Sequence, residues 1–234
     1  MMTTMTKTMG IKLSKRTLDI LKNFSTINTG LIVNQGSVLN TLSPSKNILA
    51  EARVDEVFTK SFAIWDLNKF LGTASLFKDP EFVFDANYVT IQGIESSVRY
   101  HYCDARLVTS TSKKLTTPAP VVLFDLKQKD FSELMKAASV LQVQHLCVRS
   151  SEDGESIEIA ATDKEDSTSN FYSVTVGKNT TQATFEFIFD VDNLKIIPGD
   201  YQVSISEKIV SQFTCKTEPL TYWIALNSDS TYEA

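Results

Sequence analysis

With 234 residues and 42% hydrophobic content, the chain can supply a core to one large or two ordinary domains, while no run approaches the roughly 18 to 20 apolar residues of a membrane helix. Its 28 acidic against 23 basic residues leave a net charge of −5, so the surface as a whole repels nucleic acid and anionic membranes. The N-terminus, MMTTMTKTMGIKLSK, lacks the apolar centre of a secretory signal, which places the protein in the cytoplasm, and the three scattered cysteines Cys103, Cys147 and Cys215, without C-x-x-C spacing, read as buried free thiols.

In chain order, the first element to announce itself is a helix from about Ser14 to Phe24, with Ser14 as its N-cap. On a 3.6-residue wheel Leu18, Ile20, Leu21 and Phe24 share one face, and Lys12, Lys15, Arg16, Lys22 and Asn23 share the other. Asp66 opens a short helical turn that carries Lys69. From Thr109 to Pro120 the chain reads TSTSKKLTTPAP, small and polar with two prolines, which is an extended linker. This divides the chain into a domain over 1–110, a linker over 111–120 and a domain over 121–234. A second long helix runs from about Lys127 to Leu141, with Phe131, Leu134, Ala138 and Leu141 as its apolar stripe and Lys129 and Lys136 opposite. Asp190 then opens a second short turn, followed by Lys195. Most of the remainder alternates apolar and polar residues with period two, as in Ser156-Ile157-Glu158-Ile159, Phe185-Glu186-Phe187 and Tyr201-Gln202-Val203-Ser204-Ile205, the pattern of antiparallel strands with one buried face. Turn signals at Asn34-Gln35-Gly36, Asp153-Gly154 and Pro198-Gly199 favour hairpins over β-α-β crossovers. The fold class is therefore α+β, dominated by sheet.

The two halves echo each other. Trp65-Asp66-Leu67-Asn68-Lys69-Phe70 returns as Phe189-Asp190-Val191-Asp192-Asn193-Leu194, an aromatic, Asp, aliphatic, polar, polar, apolar order. Likewise Leu13, Leu18 and Leu21, with Lys15 and Arg16 between them, are matched by Leu126, Phe131 and Leu134, with Gln128 and Lys129 between them. A repeat of this length is a duplicated domain, too long for a solenoid unit.

Catalytic chemistry has little to build on. His101 and His145 sit in strand contexts without a nearby nucleophile or an i,i+4 partner, and read as packed or surface histidines. There is no G-x-x-x-x-G-K-S/T, G-x-G-x-x-G or G-x-S-x-G, and eight glycines leave little for a phosphate-cradling loop. Glu152, Asp153 and Glu155, with Asp163, Glu165 and Asp166, lack calcium-loop spacing and read as solvated loop charge. Asp66 and Asp190 could form a catalytic carboxylate pair, but each precedes a helical pattern, where capping is the stronger reading. No metal or cofactor is expected. What stands out is charge placement. A solvated helix face explains one cationic helix, yet the lysines recur on both long helices of an acidic chain, which suits phosphate binding through one surface.

The order Lys12-Leu13-Ser14-Lys15, Leu21-Lys22-Asn23-Phe24, Thr26-Ile27-Asn28, Gly30, Asp66-Leu67-Asn68 and Phe70-Leu71-Gly72 resembles the sliding clamps of T4-type bacteriophages, the DNA polymerase processivity factors. Leu141-Gln142, Asn193, Pro198-Gly199-Asp200-Tyr201 and Asp229-Ser230-Thr231 extend the resemblance through the second half. The residues ahead of Lys12 reach beyond the family's usual start, with Met9 an alternative initiator, and the connector is poorer in proline. The resemblance implies two similar domains per subunit and a head-to-tail homotrimer closed around double-stranded DNA, two helices per domain lining the hole and antiparallel sheets outside. It also implies the phage DNA polymerase, a clamp loader and late-transcription factors as partners, in the cytoplasm of the infected bacterial host and without a membrane. Lys12, Lys15, Arg16, Lys22, Lys69, Lys129, Lys136 and Lys195 become the expected DNA-facing residues. Two rival classes stay open: a ring-forming phage structural or assembly protein, and a small-molecule enzyme with a double β domain.

Overall fold

The computed structural model describes residues 10–111, 118–166, 168–208 and 210–234. Residues 112–117 of the expected linker lie outside these, as does Met9. The described residues divide into two compact units, one holding the chain up to Pro44 together with Glu51–Thr111, the other holding Ser45–Ala50 together with the chain beyond Thr111.

In the first unit, α1 (Lys15–Ile27) begins where expected, with the Ser14 hydroxyl accepting from the Thr17 N–H at 3.2 Å. It buries Thr17, Ile20, Leu21, Phe24 and Ile27. Thr17 takes the place expected for Leu18, which is only half-buried. A hydroxyl is tolerated there because it donates to Glu56 Oε2 at 2.5 Å. Four strands follow: β1 (Leu31–Val33), β2 (Gly36–Leu42), β3 (Ile48–Phe58, of which the first three residues count with the second unit) and β4 (Phe62–Ile64), in the order β4-β1-β2-β3. In β3 the sequence ILAEARVDEVF alternates inward and outward along its whole length, the period that a one-face-buried strand requires. Helix α2 (Leu67–Ala74) starts at Asp66, whose carboxylate accepts from the Lys69 N–H at 2.8 Å. It buries Leu67, Phe70 and Ala74 and packs beside α1. A meander of β5 (Glu81–Phe84), β6 (Tyr88–Gln92) and β7 (Ser97–His101) completes the unit, its rings Phe82 and Phe84 joining Phe58, Phe62, Phe70 and Tyr100 in an aromatic core.

The second unit repeats the plan. Strand β8 (Val122–Leu126) leads into α3 (Gln128–Leu141), followed by β9 (His145–Ser150), β10 (Ser156–Thr162), β11 (Tyr172–Lys178), β12 (Thr184–Asp190), β13 (Tyr201–Ser206), β14 (Val210–Cys215), β15 (Leu220–Ala225) and β16 (Thr231–Glu233). One sheet runs β11-β10-β9-β12-β16 and the other has the antiparallel order β15-β14-β13-β8. Phe131 and Leu134 of α3 pack among Phe124, Leu146, Val148, Ile159 and Phe213 from both sheets. Leu141, expected in the apolar stripe, is half-exposed, because the helix ends at once in a left-handed Gln142 with φ 57°.

The internal repeat changes both its backbone and its side-chain roles between the units, since an α-helix of eight residues follows Asp66 and only a three-residue turn follows Asp190. Trp65 is 58% exposed, whereas its counterpart Phe189 is 2% exposed. Asp190 does open a short turn, but it is a single 3₁₀ turn, Val191–Asn193, and the carboxylate does not cap it. Asp190 instead accepts from Asn193 Nδ2 at 3.2 Å and Asn227 Nδ2 at 3.3 Å, two amides that draw it away from the turn's own N–H groups. The three cysteines are free; only Cys147 is buried, Cys103 and Cys215 being half-buried.

Candidate nucleic-acid interface

Burial of one stripe of α1 leaves Lys15 and Lys22, two helical turns apart, exposed on the opposite face. Asp19 lies between them, with Lys22 Nζ 3.5 Å from Asp19 Oδ1. Arg16 is half-buried, and its Nη1 donates to the Arg53 carbonyl in β3 at 3.0 Å, which turns part of its guanidinium onto the protein. Lys12 precedes the helix and pairs with Asp79. Lys69 is exposed on α2.

Helix α3 presents the same arrangement in the second unit. Lys129 and Lys136, again two turns apart, are exposed opposite Phe131, Leu134 and Ala138, and Glu133 lies between them, its Oε1 3.8 Å from Lys129 Nζ. Lys195 is exposed beyond the 3₁₀ turn. The structure thus gathers Lys15 with Lys22, and Lys129 with Lys136, each on one helix face, and leaves Lys12, Lys69 and Lys195 on neighbouring segments. The sequence reading missed Lys127, exposed at the N-cap of α3, and the carboxylates Asp79 and Glu133. Glu133 was within reach of sequence reasoning, since Lys and Glu four apart on a helix are surface neighbours.

Remote carboxylates hold the start of both long helices. Glu56 of β3, 8% exposed, accepts from the Ser14 N–H and the Thr17 hydroxyl. Burial pushes its pKa upward, but the hydrogen bonds from Ser14 and Thr17 outweigh that and hold it below the usual glutamate value. In the second unit Lys127 supplies no capping side chain, and Asp200 Oδ1 accepts from the Gln128 N–H at 2.8 Å instead.

Neither histidine is placed for chemistry. His145, buried in β9, has Nε2 3.8 Å from Asp190 Oδ1, and His101 is exposed in β7 against the Tyr88 ring. Burial, reinforced by Glu186, pushes the Cys147 thiol up to about 12, so it stays protonated and unreactive. Among the described residues, no three His, Cys, Asp or Glu side chains converge to hold a metal, and no helix is long and apolar enough to cross a membrane.

Comparison with known proteins decides the family. Residues 12–101 match the family model of the DNA polymerase processivity factor, and residues 123–228 match that of the gp45 sliding clamp, C terminal. The sliding clamp of Vibrio phage KVP40 is 31% identical over 219 residues, covering 92% of this chain and 98% of the relative. The chain belongs to the sliding-clamp family. The sliding clamp of Enterobacteria phage T4 is likewise 31% identical, over 95% of this chain and 100% of the relative. Solved clamps share the fold at much lower identity. A. fulgidus PCNA, in its structure with the C-terminal region of FEN-1, superposes with a TM-score of 0.71 at 11% identity, over 95% of this chain and 99% of that one. The H. pylori beta clamp in complex with 5-chloroisatin gives 0.71 at 12% identity, over 97% of this chain and 68% of that one. The chain is accordingly a phage-type sliding clamp, a DNA polymerase processivity factor and not an enzyme.

Proposed function

We propose that three copies of the chain close head to tail into a ring around double-stranded DNA, and that the ring tethers the phage DNA polymerase to its template. The observation that carries this reading is the matched lysine pair on the solvent face of each long helix, Lys15 with Lys22 and Lys129 with Lys136, in a chain whose net charge is −5. Cations confined to repeated helices attract phosphates at one surface while the acidic remainder repels them. Contacts of exposed lysines to phosphate position a duplex without reading its bases, which suits a protein that must slide. Lys12, Arg16, Lys69 and Lys195 complete the proposed DNA-facing set.

A closed ring holds DNA by topology. The polymerase bound to it is kept at high effective concentration near the primer end, so that dissociation is followed by recapture. Head-to-tail closure uses two different surfaces of each copy. In the second unit β11 ends its sheet and borders a groove of about 400 Å³ whose apolar lining is Ala137, Val140, Leu141, Phe171 and Tyr172, with Glu133 and Lys136 also lining it and Val140 72% and Phe171 59% exposed. In the first unit β7 ends the three-stranded sheet. A clamp loader would open and close this ring on DNA, late-transcription factors would share the platform, and all of it would act in the cytoplasm of the infected bacterial host.

The test is light scattering for a mass three times the 26.1 kDa chain, followed by retention on circular DNA after loader-catalysed assembly and release on linearisation. A ring-forming phage structural or assembly protein would give the mass without the retention and without stimulating the polymerase.

A further inference from the structure

We propose that Asp19, Asp79 and Glu133 act as attenuators of the DNA grip, each occupying a lysine of the candidate interface so that the ring slides instead of sticking. The inference rests on the DNA-encircling reading above and names how that surface is tuned. At least three of the eight proposed DNA-facing cations stand beside a carboxylate: Lys12 with Asp79, Lys22 with Asp19 at 3.5 Å, and Lys129 with Glu133 at 3.8 Å.

Stability does not account for these pairs. The side chains of Lys22 and Asp19 are 67% and 49% exposed, and those of Lys129 and Glu133 are 80% and 45% exposed. Glu133 Oε2 also accepts from the Tyr172 hydroxyl at 3.2 Å, a bond that Glu133→Gln can keep through its amide oxygen while losing the charge. Pairs so open to water are screened and contribute almost nothing to folding. Their placement is nevertheless repeated. On each long helix a carboxylate sits between two lysines that are two turns apart, Asp19 between Lys15 and Lys22 and Glu133 between Lys129 and Lys136. A wholly basic stripe would release a counterion for every phosphate it met, and binding would rise steeply as salt falls. A carboxylate within ion-pair reach already neutralises its lysine and repels the incoming phosphate, so that lysine adds little to the salt slope and little friction to movement along the duplex.

The experiment compares the full chain with the triple variant Asp19→Asn, Asp79→Asn, Glu133→Gln, which keeps shape and removes three negative charges. A control variant, Glu51→Gln, Asp55→Asn, Glu95→Gln, removes three exposed charges elsewhere on the first unit. Two quantities are read: the slope of log affinity against log salt on a short duplex, and the one-dimensional diffusion of loaded rings on DNA. The expected result is a slope steeper by about 2 in the triple variant and sliding slowed several-fold, with the control close to the parent chain. An unchanged slope and diffusion overturns the proposal, and so does an equal change in the control, which would reduce the effect to net charge. Retention of the parent chain on circular DNA is scored separately: if the parent chain is not retained, the ring reading fails, while the slopes on the short duplex still decide whether these carboxylates attenuate phosphate contact.

Discussion

The Asp200 carboxylate accepts the Gln128 backbone N–H at 2.8 Å, and so caps from a distance a helix whose own N-cap residue, Lys127, makes no side-chain cap bond. The first turn of a helix leaves backbone donors unpaired, and a carboxylate there also meets the positive end of the helix dipole. Asp200→Ala is expected to destabilise the chain by about 1 kcal/mol, with Asp200→Asn losing less because the amide oxygen can still accept. Denaturant midpoints at constant slope measure both. Equal stability of the alanine variant and the parent chain would refute the cap.

Glu56 does the corresponding work for α1, and its effect depends on pH. Its folded pKa is held below the ordinary 4.5, so the carboxylate contributes stability that is present above that value and declines as the pH falls through the lower, folded value. Glu56→Gln is expected to flatten this part of the acid limb, because the amide keeps an acceptor for the Ser14 N–H without titrating. Thermal midpoints between pH 3 and pH 6, an interval set by the direction of the shift, are the measurement; parallel acid limbs in the two proteins would count against it.

Neutralising the solvent faces of both long helices should weaken DNA binding, with assembly followed separately by light scattering because Lys136 also lines the groove beside β11. The variant Lys15→Ala, Lys22→Ala, Lys129→Ala, Lys136→Ala is expected to lower the salt slope on a short duplex by about 2, because Lys22 and Lys129 already stand beside Asp19 and Glu133, and any single change by about 1 or less. All four side chains are exposed, so the folding midpoint should move little. Loss of binding from one substitution with the trimer intact would point to a discrete site instead of a diffuse surface.

The proposed ring closure is open to a separate test at the groove between α3 and β11. Phe171→Asp and Val140→Asp replace side chains that are 59% and 72% exposed in the single chain, so each should fold normally. If a second copy covers the groove, each introduces a buried unpaired charge and should weaken trimer association by at least tenfold. Light scattering across a concentration series reads the shift; association unchanged in both variants would exclude this face from the interface.

Local patterns carried much of the fold. Ser14, the lysine spacing and the apolar stripe of α3 marked the long helices, and strict alternation made β10, β12 and β13 legible, because these signals depend on residues a few positions apart. Strands of three residues, such as β1, β4 and β16, are too short to show a period and emerge only through pairing. Thr17 in place of Leu18, and Asp190 turned from its own helical turn toward Asn193 and Asn227, depended on distant partners that the fold brings close. The candidate interface divides in the same way. Lys129 and Glu133 could be paired from sequence, whereas Lys12 meets Asp79 only because the chain returns there from α2.

Cys147 gives the molecule a built-in reporter. Its side chain is 0% exposed beneath the sheet surface, and its thiol is held protonated up to about pH 12, so a thiol-directed reagent at neutral pH reaches it only when β9 and its neighbours separate. Cys103 and Cys215 are more accessible. With those two replaced by serine, the rate of alkylation becomes a clock for opening of the second unit, readable while the protein is at work on DNA.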